Sequence, residues 1–210
     1  MINEKIYSEI KKRIVFLHYP PKYDLNVKEL AKEFGVSSMP IREMMILLED
    51  EGLIRVVPNK GIYVADISFQ ELKNIFEIRI FLIGLSGRLA AQRITPIELD
   101  NLKQLLNKMK KEKDFKGAIQ LDAEFHNLLN CSTKNRTLVK ILERLRNQIN
   151  RLWFFVKDKG DKTFLQTLRD FEGLIMALTK RDSDKCEQIL KSHILSFMEQ
   201  IKESLYDEVG

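Results

Sequence analysis

Residues 26–64 read NVKELAKEFGVSSMPIREMMILLEDEGLIRVVPNKGIYV. Asn26 stands three residues before Glu29, a spacing that suits a capped helix start. Leu30, Ala31 and Phe34 give that helix an apolar face, and Gly35 can close it in the left-handed conformation. Ser37 or Ser38 then caps a second helix, whose first turn takes Pro40 because no intrahelical amide is needed there. Ile41, Met44, Leu47 and Leu48 form its expected inward stripe, while Arg42 and Glu43 point elsewhere. After Gly52, two short β-branched runs, Leu53 to Val57 and Ile62 to Val64, flank Pro58-Asn59-Lys60-Gly61 and read as a β-hairpin. Helix, short turn, helix and hairpin make a winged helix-turn-helix, which sets its second helix in a DNA major groove.

Within this stretch, VSSMPIREMMILLEDEGLIRVVPNKGIYV resembles the operator-binding domain of the GntR family of bacterial transcription regulators. That family joins a V-S-R-x-P-V-R-E-A-L helix, an E-G-L turn and a P-x-x-G wing. The resemblance implies DNA contacts residue by residue. Lys28 matches a position that touches phosphate, and Ser37 matches the small hydroxyl residue on the DNA backbone. Arg42 matches the recognition-helix arginine, whose fork suits guanine O6 and N7. Lys60 and Gly61 match the wing tip that enters the minor groove in relatives. Ser38 departs from the family's arginine, which removes a base contact worth about 1–3 kcal/mol of discrimination. Met39 departs too, standing where threonine is common. The competing reading of each basic side chain is a solvated surface charge.

Composition sets the frame. The chain has 210 residues, 44% hydrophobic and 31% charged, enough for one large domain or two modest ones and too apolar for disorder. No apolar run approaches bilayer-spanning length, and the start MINEKIYSEIKKRI lacks a signal-peptide core, so a cytoplasmic protein without membrane contact is expected. Cys131 and Cys186 are too few for a disulfide framework and read as small buried hydrophobes. The net charge is +5, yet residues 1–66 carry ten Lys/Arg against ten Asp/Glu. The excess lies outside the DNA-binding segment, so phosphate affinity must come from charge placement and not from the total.

Outside residues 26–64 the pattern is helical. Ile6, Ile10, Ile14 and Leu17 recur at helical spacing, which predicts a first helix over 3–17, broken by Tyr19-Pro20-Pro21. Residues 65–68 read as a linker between a DNA-binding domain over 1–66 and an all-helical domain over 67–210. Helices are expected near 69–93, 96–111, 115–131, 135–157, 162–180 and 183–206, folded as an antiparallel bundle. The segments IFEIRIFLIGLSGRLAAQRIT, LDAEFHNLL, TLRDFEGLIMALTKRD and SHI are similar, in order and spacing, to the ligand-sensing FCD domain of the FadR-type branch of the GntR family.

Asp122 and His126 lie four apart on one expected helix and so share a face. The resemblance makes this pair two ligands of a divalent metal (Zn, Ni, Mn or Fe), with His193 as a third. The fourth ligand, a histidine in relatives, falls at Phe171, and a phenyl ring cannot ligate. Asp170 and Glu172 flank it, but each points about 100° away around the helix, so neither is an obvious replacement. Two His and one carboxylate still suit a transition metal with open positions. The alternative is an apolar-lined pocket with hydrogen-bonded histidines and no metal. Arg79 matches a family arginine that faces the effector cavity, where its fork would pair with a small organic acid. Its competing role is a salt bridge within the bundle. Asn147, Asn150 and Arg151 are further candidate cavity residues, and Trp153-Phe154-Phe155 reads as core packing.

The function implied is a ligand-responsive transcription regulator, a repressor acting as a homodimer on double-stranded operator DNA. Two other classes compete. One is a metal-dependent hydrolase using Asp122, His126 and His193, which lacks any second catalytic motif. The other is a DNA-binding protein with no ligand.

Overall fold

A computed structural model describes residues 2–155 and 160–209. The described residues are mainly helical, with one two-stranded sheet. They divide into two compact units, Met1–Leu72 with Arg146–Phe155, and Lys73–Leu145 with Val156–Gly210. Residues 146–155, expected within the helical domain, thus group with the DNA-binding segment.

In the first unit, α1 (Ile2–Val15) buries Ile6, Ile10 and Ile14, spaced four apart on one face. The helix stops two residues before Leu17, which adopts φ 55°, and the Tyr19 amide turns back to the Arg13 carbonyl. Asn26 caps α2 (Val27–Phe34) by accepting from the Lys28 and Glu29 amides, and Gly35 closes it at φ 64°. Ser37 is the N-cap of α3 (Ser38–Asp50), although its hydroxyl accepts no capping bond. The buried stripe of α3 is Ile41, Met44, Met45 and Leu48. The expected Leu47 is instead 55% exposed, because it sits about 100° around the axis from Leu48.

Strands β1 (Ile54–Val57) and β2 (Gly61–Val64) pair antiparallel, with Ile54 opposite Val64 and Val57 opposite Gly61. Between them Pro58 and Asn59 turn the chain, with Asn59 at φ 60° and the Lys60 amide bonded to the Val57 carbonyl. That is the pattern of a type II turn. Gly61 adopts φ 144°, and a Cβ there would stand 3.2 Å from the Tyr63 hydroxyl. The loop before α2 runs alongside β2, where the Leu25 amide meets the Ile62 carbonyl. Glu51 in the turn after α3 accepts from Tyr7 and Lys11 of α1, so the three helices and the hairpin share one core.

The second unit is built on α4 (Phe69–Arg93) from Lys73 onward, α5 (Pro96–Met109), α6 (Phe115–Ser132), α7 (Arg136–Phe155) as far as Leu145, α8 (Gly160–Thr179) and α9 (Ser183–Val209). Thr95 and Glu98 form a reciprocal capping box at the start of α5, and Asp114 caps α6. Arg181 donates to the carbonyls of Ala91, Gln92 and Ile94, satisfying acceptors at and just past the end of α4. Helices α8 and α9 pack together, as do α5 with α6 and α5 with α8. Gly87 lets α4 approach α9, since a Cβ there would come within 2.8 Å of the Cys186 carbonyl oxygen. Cys186 is buried, and burial, helped by Asp182, pushes its thiol up to about 12. Cys131, also expected inside, is exposed, because its neighbours Asn130 and Ser132 take the inward face of α6. The expected helix end at 156–157 lies outside the described residues, as do the side chains of Trp153, Phe154 and Phe155.

Candidate DNA-binding face and candidate metal centre

The exposed face of α3 is the one its core stripe leaves free. Arg42 stands on it, with Lys28 exposed on α2 and Lys60 exposed at the turn between the strands. Among the described residues these three cations make no ion pair. Other basic side chains of the unit are engaged, Arg13 with Glu9 and Glu33, and Lys11 with Glu51. Hydrogen bonds to the Tyr19 hydroxyl and to the Glu33 and Glu9 carboxylates hold Arg13 charged, whereas Arg42, Lys28 and Lys60 are left open to phosphate or base. Ser37 is exposed at the α3 N-terminus with its hydroxyl uncommitted to the cap, and Ser38 is half-buried in the first turn. Gly61 sits beside Lys60 with backbone geometry that other residues adopt only under strain. Arg55, exposed on β1, and Ile46 on α3 carry no sequence expectation, and Met39, noted only as a departure from the family's threonine, stands exposed beside Ile46. The alternation of β1 carries the Arg55 signal. Met39 and Ile46 are legible only once the core face of α3 is known.

In the second unit, α6 supplies Asp122 and His126 and α9 supplies His193. Their potential ligand atoms all lie within 4.8 Å of one another. His126 Nε2 is 3.8 Å from Asp122 Oδ1, and His126 is 2% exposed. Asp170, on α8, does not substitute for the missing ligand but takes a different part: its Oδ2 lies 3.0 Å from His193 Nδ1. That contact orients the ring and leaves Nε2 for the cluster, a carboxylate–histidine arrangement common behind metal ligands. Glu172 is turned away and pairs with Lys110 at 2.6 Å. Phe171 is fully buried, stacked on Phe125 with centroids 3.9 Å apart. Its ring centroid is 5.3 Å from that of His126 and 5.3 Å from that of His193. The phenyl therefore packs against both histidines at the position where the resemblance expects a fourth ligand, and the three groups beside it fit a metal that would keep open positions.

Arg79 is buried in α4, 5% exposed. Asn147 and Arg151, candidate cavity residues by sequence, fall in the first unit. Arg151 is completely buried there, and one guanidinium nitrogen donates to the Ala65 carbonyl. Burial pushes its pKa down to about 10 against the opposing pull of Asp66 and Glu71. Gln148, one turn earlier, donates to the Glu51 carbonyl at 2.8 Å. These side chains hold the last turns of α7 against the linker and the turn after α3. The Ala65 partner of Arg151 was beyond sequence reasoning, since an inward-facing Arg reads the same whichever partner it meets.

A winged helix-turn-helix with free cations on its recognition face, joined to a helical unit, defines a DNA-binding transcription regulator. Residues 2–64 match the bacterial regulatory proteins of the gntR family, and residues 74–196 match the FCD domain. The chain belongs to the GntR family, in its FCD-containing branch. It is 29% identical over 205 residues to the HTH-type transcriptional repressor RspR of Escherichia coli, spanning 96% of this chain and 90% of that one. It is 28% identical to the HTH-type transcriptional regulator YdhC of Bacillus subtilis, over 96% and 91% of the two chains. The fold matches E. coli McbR/YncC with a TM-score of 0.86 at 20% identity, covering 98% of this chain and 99% of that one. A GntR regulator from a Rhodococcus species gives 0.79 at 15% identity, over 96% and 97%. This is a family of transcription regulators and not of enzymes, which removes the hydrolase reading. No described helix is long and apolar enough to cross a membrane.

Proposed function

We propose that this GntR-type regulator is a repressor whose helical unit senses a small carboxylate through a divalent metal held by Asp122, His126 and His193. The convergence of those three groups within 4.8 Å, with Asp170 behind His193, supports the reading most directly. A bound ion would supply Lewis-acid attraction for an effector carboxylate at positions the protein leaves open. Phe171 makes one wall of that site apolar, and Arg79 is the candidate anchor for a second acidic group.

The repressor works as a homodimer that places two recognition helices on an imperfect palindrome. Ile78, Phe81 and Leu85 support this: spaced three and four apart on α4, they are 55%, 69% and 41% exposed. Such a stripe is what a partner helix would cover. Effector binding changes operator affinity only through unequal affinity for the DNA-competent and DNA-incompetent arrangements.

The test is the metal content of purified, untagged protein before and after dialysis against chelator. About one transition-metal ion per chain, lost in His193→Ala, is the expected result. Absence of metal at every step would leave an organic pocket anchored at Arg79. Operator affinity unmoved by any metabolite or chelator would remove ligand sensing and leave the ligand-independent DNA-binding protein.

A further inference from the structure

We propose that the recognition helix reads thymine methyl groups through Met39 and Ile46, in place of the base contact that Ser38 forgoes. Both side chains are 65% exposed. Single exposed apolar residues are ordinary on a protein surface. The placement of these two is not. Seven residues apart, they lie within about 20° of each other around the α3 axis, opposite the buried Ile41, Met44, Met45 and Leu48. Arg42 stands on one side of this line and Glu43 on the other. The centre of the helix face turned toward DNA is therefore apolar, and its one basic group is displaced to the side.

The chemistry of the groove decides what such a face can read. Donors and acceptors on base edges gain nothing from a thioether or a sec-butyl group. The C5-methyl of thymine is the apolar feature the major groove presents, and contact with it excludes water from both partners. Met39 sits in the first turn of α3, the part of a recognition helix that reaches base edges first. Ser38 is short and half-buried, so it does not compete for that space. Seven residues of helix rise about 10 Å, which corresponds to about three base-pair steps. Each operator half-site should then carry two T·A pairs about three steps apart, with Arg42 setting the remaining discrimination.

The experiment selects duplexes from a random library with the full-length protein, then replaces each consensus thymine by deoxyuridine, which deletes only the methyl. Affinity should fall about fourfold at two positions per half-site, the factor that burying one methyl-sized group supplies. Met39→Ala should erase the penalty at one of these positions and Ile46→Ala at the other. Both residues are exposed, so the variants should melt like the parent protein. Three results would overturn the proposal: half-sites without recurring thymine, deoxyuridine tolerated at every position, or penalties that persist in both variants. Failure to enrich any duplex would overturn it together with base reading by α3.

Discussion

Phe171 and Asp170 are adjacent in the chain and do opposite things. Phe171 buries a ring stacked on Phe125, while Asp170 reaches His193 Nδ1 at 3.0 Å. Asp170→Asn would keep the shape and lose the charge that raises the basicity of the ring. Metal affinity should fall about 10- to 100-fold, read by chelator competition, and an unchanged affinity would show that Asp170 does not support the ligand. On the DNA side, Arg42→Ala should cost about 1–3 kcal/mol of specific binding, with much less effect on non-specific duplex. Lys60→Ala should weaken all sequences alike and flatten the salt dependence, as a phosphate contact does. A loss confined to one operator base would instead assign Lys60 to base reading.

Each short element of the first unit is closed by a device written in its own sequence. Asn26 accepts from two amides of α2, and Gly35 ends the helix four residues after Ala31 with left-handed geometry. Asn26→Ala should destabilise the protein by about 0.5–2 kcal/mol in a denaturant titration, with Asn26→Asp nearly neutral because the carboxylate caps as well. The caps, the turn and the helix breaks were therefore legible in advance. The inward face of α3 was only partly so. Its apolar residues at 39, 41, 44, 45, 46, 47 and 48 outnumber what one stripe can bury, and periodicity admits Leu47 as readily as Met45. Packing against α1 and β1 resolved that choice, and in doing so exposed Met39 and Ile46.

At the scale of the molecule, the proposed homodimer rests on the exposed apolar stripe of α4, Ile78, Phe81 and Leu85. Phe81→Glu should convert a dimer to a monomer in analytical ultracentrifugation and weaken operator binding, since one recognition helix then reads one half-site. Retention of the dimer would place the interface elsewhere. The fold class, the helix boundaries to within a few residues, and the shared face of Asp122 and His126 were contained in the chain itself, whereas His193 came to the cluster only through the family resemblance. Capping, periodicity and i,i+4 spacing are local rules, and residue order alone satisfies them. Which side chain meets which across elements was not contained there. Asp170 behind His193, Phe171 on Phe125 and Arg151 on the Ala65 carbonyl each join segments separated along the chain. Such pairings depend on how the helices settle against one another, and burial gives a polar group one available partner only after that packing exists.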